Sequence, residues 1–144
     1  MNNKFEIGKE IAIKYIAFKK RTEKEVITKL EVLNYSPSII DKIIDYLKET
    51  DYINDERYLE KYFEELKMVK NWSARHVKQD LYNRGCECTI PDNDLVNYEI
   101  QSIKNLYGKY KVKYPDASEE DTQEFIKALR NKGFMYDNIK KIIV

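Results

Sequence analysis

Apolar residues recur along the chain at spacings of three and four, the period of one face of an α-helix, and only one short stretch alternates as a strand would. Ile7, Ile11, Tyr15 and Phe18 make a first stripe, Val26, Leu30 and Leu33 a second, and Ile40, Ile43, Ile44 and Leu47 a third. Three helices are therefore predicted before Asp51. The pattern returns twice. Tyr58, Leu59, Tyr62, Phe63 and Leu66 are followed by Val77 and Leu81, then by Leu95 and Val96. Ile103, Leu106, Tyr107 and Tyr110 are followed by Phe125, Ile126 and Leu129, then by Ile139, Ile142 and Ile143. The alternating stretch is Tyr107 to Tyr114, where Lys109, Lys111 and Lys113 interleave with Tyr110, Val112 and Tyr114. A single strand would have no neighbour to share its ladder of hydrogen bonds, so a helix is predicted there too. With four Gly and three Pro to interrupt these patterns, the expected fold class is all-α.

The middle helix of each set lines up with the other two. Val26, Val77 and Phe125 correspond, as do Leu30, Leu81 and Leu129. Four residues further on stand Asn34, Gly85 and Gly133, residue types that readily enter the left-handed conformation that ends a helix. An apolar residue follows each: Tyr35, Cys86 and Phe134. A period of about 50 residues with three helices to the unit predicts tandem modules that complete their cores against one another in an elongated, solenoid-like array. The expected modules are residues 1–50, 51–97 and 98–144. Start signals agree with this division. Thr22-Glu23-Lys24-Glu25 has the form of a capping box, Ser36-Pro37 places a cap before a first-turn proline, and Asn54-Asp55-Glu56 puts acceptors and negative charge at a helix start. Ser73, Asp121 and Asp137 are candidates to open later helices.

Composition removes several function classes. In a chain of 144 residues, 42% hydrophobic content supplies a core, so a disordered tail is not expected. The apolar runs are only a few residues long, far below the roughly 20 that cross a bilayer, and the first residues show neither an apolar leader core nor a cleavage site, so a cytoplasmic location is expected. Cys86 and Cys88 are too close in sequence to staple a fold, and with His76 the single histidine they fall short of a zinc ligand set, so no metal is expected. No phosphate loop, paired Cys-x-x-Cys, His-Glu-x-x-His or nucleophile elbow occurs, and no catalytic residue or cofactor is assigned. Acidic pairs such as Glu64-Glu65 and Glu119-Glu120 point in different directions on a helix and are expected to be solvated.

Charge is more telling by module than in total. The 26 Lys+Arg nearly cancel 25 Asp+Glu, yet residues 1–50 and 98–144 are net basic and residues 51–97 net acidic. Two compact basic clusters stand out, Lys19-Lys20-Arg21 and Lys109/Lys111/Lys113, the second among tyrosines able to stack on bases. A chain so near neutral is poorly equipped for general DNA binding, which draws its affinity from phosphate neutralisation, and suits a protein partner better. Tyr15, Tyr58 and Tyr62 lie on apolar stripes and are expected in the core with their hydroxyls at its edge. Trp72 falls in a helix connection, where it either plugs two modules together or anchors a partner.

Four stretches read together: Ala12 to Ile16 with Lys20-Arg21-Thr22-Glu23-Lys24-Glu25-Val26 and Leu30, then Asp51-Tyr52-Ile53-Asn54-Asp55-Glu56-Arg57-Tyr58, then Asp80-Leu81-Tyr82-Asn83-Arg84-Gly85-Cys86, with Lys132-Gly133-Phe134 repeating that last ending. In order and spacing they resemble the RecX regulators of the RecA recombinase. The chain departs from the family pattern at Asn54, where an acidic residue is usual, and at Trp72 or Ser73, where glycine is. The resemblance implies a curved array of helical modules that lies in the groove of a RecA filament on single-stranded DNA, bridges neighbouring subunits and either restrains ATP hydrolysis and strand exchange or favours filament disassembly, without catalysis of its own. The contact residues expected on that basis are exposed cations at module ends, Lys19, Lys20, Arg21, Arg57, Lys70, Arg75, Arg84, Lys109, Lys111 and Lys113, together with Trp72. The rival expectation is a helix-turn-helix-like module acting directly on DNA, whose recognition helices would be the third of each set. Ile39, Ile40, Ile43 and Ile44 leave such a helix little with which to read base edges.

Overall fold

The computed structural model describes residues 3–86 and 89–143; Cys88 lies outside the described residues. The chain is all-α. Among the described residues there are eight helices and no strand: α1 (Asn3–Phe18), α2 (Glu23–Val32), α3 (Pro37–Glu49), α4 (Asp55–Val69), α5 (Ala74–Asn83), α6 (Asp92–Lys113), α7 (Glu119–Asn131) and α8 (Tyr136–Lys140). They form two compact units, Met1–Lys61 with Leu81–Thr89, and Tyr62–Asp80 with Ile90–Val144.

In the first unit α1, α2 and α3 close around Val26, Leu30, Ile43 and Leu47. The starts of α2 and α3 follow from their caps. Thr22 Oγ1 accepts the Glu25 N–H at 3.1 Å while the Glu25 carboxylate accepts the Thr22 N–H at 3.0 Å, a complete capping box. Ser36 caps α3 ahead of Pro37. The face of α1 differs from the expected stripe. Gly8 and Ala12 are buried, whereas Phe18 is 86% exposed and Ile7 about half exposed. A Cβ on Gly8 would sit 2.7 Å from Ile43 Cδ1 and 3.0 Å from the Tyr35 ring. The helices approach so closely there that only small residues fit, and a search for large apolar residues is led one position astray.

In the second unit Ile103, Ile126, Leu129, Phe134, Ile139 and Ile143 form the core. The two helices expected around Leu95 and around Ile103 are one, the 22-residue α6. Nothing from Asp92 to Tyr107 breaks a helix, and the stretch read as ambiguous continues α6 to Lys113. Two starts also differ from expectation. Ser118 caps α7, and Asp121 is the partner in its capping box, not the opening residue. Met135 precedes α8, which leaves Asp137 inside its first turn.

Each middle helix ends as its sequence predicts. Asn34, Gly85 and Gly133 have φ of 66°, 72° and 100°. Behind each, the N–H of Tyr35, Cys86 or Phe134 reaches back to the carbonyl of Leu30, Leu81 or Leu129 at 3.1 Å, the six-to-one bond of a Schellman turn. A fourth such turn was not foreseen: Asp51 ends α3 at φ 64°, and the Tyr52 N–H bonds the Leu47 carbonyl at 2.8 Å. Aspartate enters this region less readily than glycine or asparagine, so its sequence signal is weak.

Candidate partner-binding surface

The start of one middle helix is fastened to the end of the next. In the first unit the Thr22 hydroxyl, buried, donates to the Arg84 carbonyl at 2.7 Å, and the stem of Lys24 lies over Gly85 so closely that a Cβ there would meet Lys24 Cδ at 2.2 Å. In the second unit the Ser73 hydroxyl, also buried, donates to the Lys132 carbonyl at 3.4 Å, and the stem of Arg75 lies over Gly133. Donor, carbonyl, glycine and covering cation hold the same places in both. Glycine at 85 and 133 thus meets two demands, a positive φ and a close approach. Asn34, which is exposed, meets only the first.

The second unit has a polar centre that no sequence pattern announced. Glu99 is fully buried and accepts the Ala74 N–H at 2.9 Å, the Met135 N–H at 3.3 Å and the Asn138 amide. Its neighbour Tyr98 accepts the Trp72 N–H at 3.2 Å and donates to the Lys70 carbonyl at 2.8 Å. Two consecutive residues of α6 therefore fix the start of α5 and the start of α8. A lone Glu amid a charged sequence reads as solvated, and its burial becomes visible only once three chain segments converge on it.

The basic residues separate into two kinds. Lys19 and Lys20 are exposed in the link between α1 and α2, as are Lys109, Lys111 and Lys113 along the end of α6, and Lys70 and Arg75 on either side of Trp72. Arg21, expected to be exposed, is not: its side chain is 15% exposed, its guanidinium lies 4.0 Å over the Tyr15 ring, and it pairs with Glu25 at 3.7 Å. Stacking and ion pairing at a short link hold it against the fold. Arg84 is likewise half-buried, with Nη1 donating to the Tyr58 hydroxyl at 2.8 Å. Arg57 is about half exposed and pairs with Asp51, whose carboxyl is held below its ordinary value near 3.8 by the bonds from Arg57 and then Asn54. Trp72 is half-buried, with one ring face stacked on His76 at 4.0 Å.

In the second unit an open groove of about 890 Å³ lies at the junction of α6 and α7. Its lining includes Lys109, Tyr110, Lys113 and Tyr114 from α6 and the residue that follows it, and Asp121, Glu124 and Phe125 from α7. Tyr110 stacks on Phe125 at 4.3 Å. No set of His, Cys, Asp and Glu among the described residues is grouped to hold a metal ion, and no helix among them is long and apolar enough to cross a membrane. The outward face of α3 carries Ser38, Asp41, Lys42, Asp45 and Lys48, while Ile40, Ile43, Ile44 and Leu47 are buried. Asp41 and Asp45 on that face would repel the phosphates that flank a groove.

Comparison with known proteins supplies the remaining observations. Residues 9–47 match the family described as RecX, first three-helix domain. The regulatory protein RecX of Streptococcus sanguinis is 31% identical over 94% of this chain and 54% of its own length, and that of Streptococcus thermophilus 34% identical over 96% and 55%. The chain thus spans about half the length of the curated relatives it matches. A crystal structure of RecX from Lactobacillus salivarius superposes with a TM-score of 0.84 at 26% identity, covering 99% of this chain and 96% of that one.

Proposed function

The chain belongs to the RecX family of regulatory proteins, and from that premise we propose that it is a noncatalytic, cytoplasmic regulator of a RecA recombinase filament on single-stranded DNA, lowering ATPase activity and strand exchange. The observation that carries the proposal is the extent of the match to regulatory proteins of the family, 94–96% of this chain. The sequence modules 1–50, 51–97 and 98–144 are proposed as separate points of attachment, so that individually weak contacts add through effective concentration. Their contact residues are proposed to be the exposed cations, Lys19, Lys20, Arg57, Lys70, Arg75, Lys109, Lys111 and Lys113, together with Trp72. Arg21 and Arg84 serve the fold instead, for the reasons given above.

The test is the single-stranded-DNA-dependent ATPase rate of the cognate recombinase as this chain is added below one copy per recombinase subunit. Inhibition at such ratios is expected. An effect that requires saturation of the DNA would instead favour direct action on nucleic acid. Reversing Lys19 and Lys20 together to Glu is expected to raise the half-inhibitory concentration about fivefold with an unchanged helical spectrum, the scale set by a pair of rim charges. An unchanged inhibitory concentration would remove these two residues from the contact.

A further inference from the structure

A smaller groove in the second unit, of about 380 Å³, is lined by the second half of α4, the link that follows it and α6. Its lining is rich in carboxamides. Asn97, Gln101 and Asn105 stand four residues apart on α6, all three exposed, and Asn71 joins them from the link. Gln101 Nε2 donates to Asn105 Oδ1 at 2.9 Å, and Asn105 Nδ2 donates to Asn71 Oδ1 at 3.0 Å, so that three of the four hold one another in place. A carboxamide has two N–H donors and an oxygen with two lone pairs. The two bonds therefore leave every linked amide with both a donor and an acceptor to spare. The Tyr98 and Ser102 hydroxyls, which also line the groove, are already engaged with backbone.

We propose that this groove binds an extended, acidic segment of a partner protein by the segment's backbone. Residues four apart on a helix are about 6 Å apart along its axis. In an extended chain the N–H and C=O of every second residue face the same side, at a repeat of about 6.7 Å. Asn97, Gln101 and Asn105 thus keep step with three alternate residues of such a chain, and a carboxamide matches the donor and acceptor that each of them presents. Contacts to backbone are indifferent to side-chain identity, so charge selects the segment. Lys67 and Lys70, both exposed, rest over the Phe63 and Trp72 rings and not on a carboxylate, and Asp94 is the single acid in the lining. A single strand of nucleic acid suits the groove less well. The Lys67 ammonium, 4.5 Å from the Phe63 centroid, covers a ring face that a base would need, and a row of neutral amides offers phosphates no counter-charge. The fit depends on the backbone and charge of the segment and not on a recombinase being the protein that carries it.

The test is an NMR titration of the whole chain with an end-blocked six-residue peptide of alternating Glu and Thr, read at the side-chain NH₂ signals. Saturable shifts of the Asn71, Asn97, Gln101 and Asn105 carboxamides are expected. N-Methylation of the Glu residues in one peptide and of the Thr residues in another removes the backbone N–H groups of one edge at a time. One of the two should bind about tenfold or more weakly than the parent peptide and the other within about twofold of it. Gln101→Ala in the chain should weaken binding about fivefold, and Lys67→Glu with Lys70→Glu about tenfold, each with an unchanged helical spectrum. Absence of a saturable shift of these carboxamides at millimolar peptide overturns the proposal. Equal affinities of the two N-methylated peptides also overturn it, because no edge of the backbone would then be read. Tighter binding of an oligothymidylate at the same signals would make the groove a nucleic-acid site and overturn the assigned partner.

Discussion

At the scale of single residues the two docked glycines differ from the undocked asparagine in a way stability can measure. Gly85→Ala adds the cost of a left-handed conformation, roughly 1–2 kcal/mol, to a Cβ that would lie 2.2–2.8 Å from three carbons of Lys24. A total loss of about 3 kcal/mol is expected by urea denaturation. Gly133→Ala should lose less, about 1–2 kcal/mol, because its nearest neighbour is the Ser73 hydroxyl at 3.2 Å. Asn34→Gly should lie within about 0.5 kcal/mol of the parent. Equal losses at 85 and 133 would show that the close packing against Lys24 has no cost. Glu99 is the converse case, a charged side chain that is all interior. Glu99→Ala strands the Ala74 and Met135 N–H groups and the Asn138 amide, at a cost of about 3 kcal/mol or more. Glu99→Gln keeps one accepting oxygen but turns an NH₂ toward donors, and should fall between Ala and the parent. The left-handed turns at Asn34, Gly85 and Gly133 were legible because residue type and position coincide; Glu99 was not, since its burial depends on segments 25 to 39 residues away.

At the scale of elements, periodicity and caps located most helices, and the failures have specific causes. The division of α6 into two helices followed from expecting a third helix and a first helix in every repeat, although no breaker lies between them. The continuation of α6 through the stretch that alternates as a strand would is testable at Gly108, which lies inside it. Nothing lies within 4 Å of the place a Cβ would occupy, so Gly108→Ala should stabilise the chain by about 0.5–1 kcal/mol, the propensity difference in a continuous helix. A destabilisation there would mean that α6 breaks at Gly108. The junction between α3 and α4 is governed by charge as well as by turn geometry. Asp51 holds the left-handed position and also accepts bonds from Arg57 and Asn54, which depress its pKa below 3.8. A carboxyl with a lowered folded pKa contributes stability that is complete above its unfolded value and is lost as pH falls through the folded one. The parent's urea midpoint should therefore fall between about pH 4 and pH 2. Asp51→Asn tolerates the same backbone, should be slightly less stable at pH 7, and should fall less over that interval. Parallel pH profiles for the two would show that the Asp51 ionisation makes no contribution.

At the scale of the whole molecule, the chain offers little free positive charge to a nucleic acid. Arg21 is spent on Tyr15 and Glu25 and Arg84 on Tyr58, which leaves Lys19 and Lys20 in one unit and Lys109, Lys111 and Lys113 in the other as the compact clusters. The clusters were visible in the sequence, but the withdrawal of the arginines was not, because it depends on which aromatic or carboxylate each one meets in space. If all five lysines neutralised one phosphate each on a single strand, the logarithm of the binding constant would fall with the logarithm of salt at a slope of about −3.5. Between 50 and 200 mM salt such binding would weaken by about two orders of magnitude. Docking on a recombinase, as proposed above, would set the same exposed cations against a few discrete carboxylates, and such pairwise contacts lose less to salt than the release of counterions from a phosphate array. The half-inhibitory concentration for the filament ATPase, measured across that range with the recombinase kept saturated on DNA, is therefore expected to rise by less than about tenfold. A rise of a hundredfold or more would mean that phosphates provide the attachment, and would transfer the function from the recombinase to the DNA.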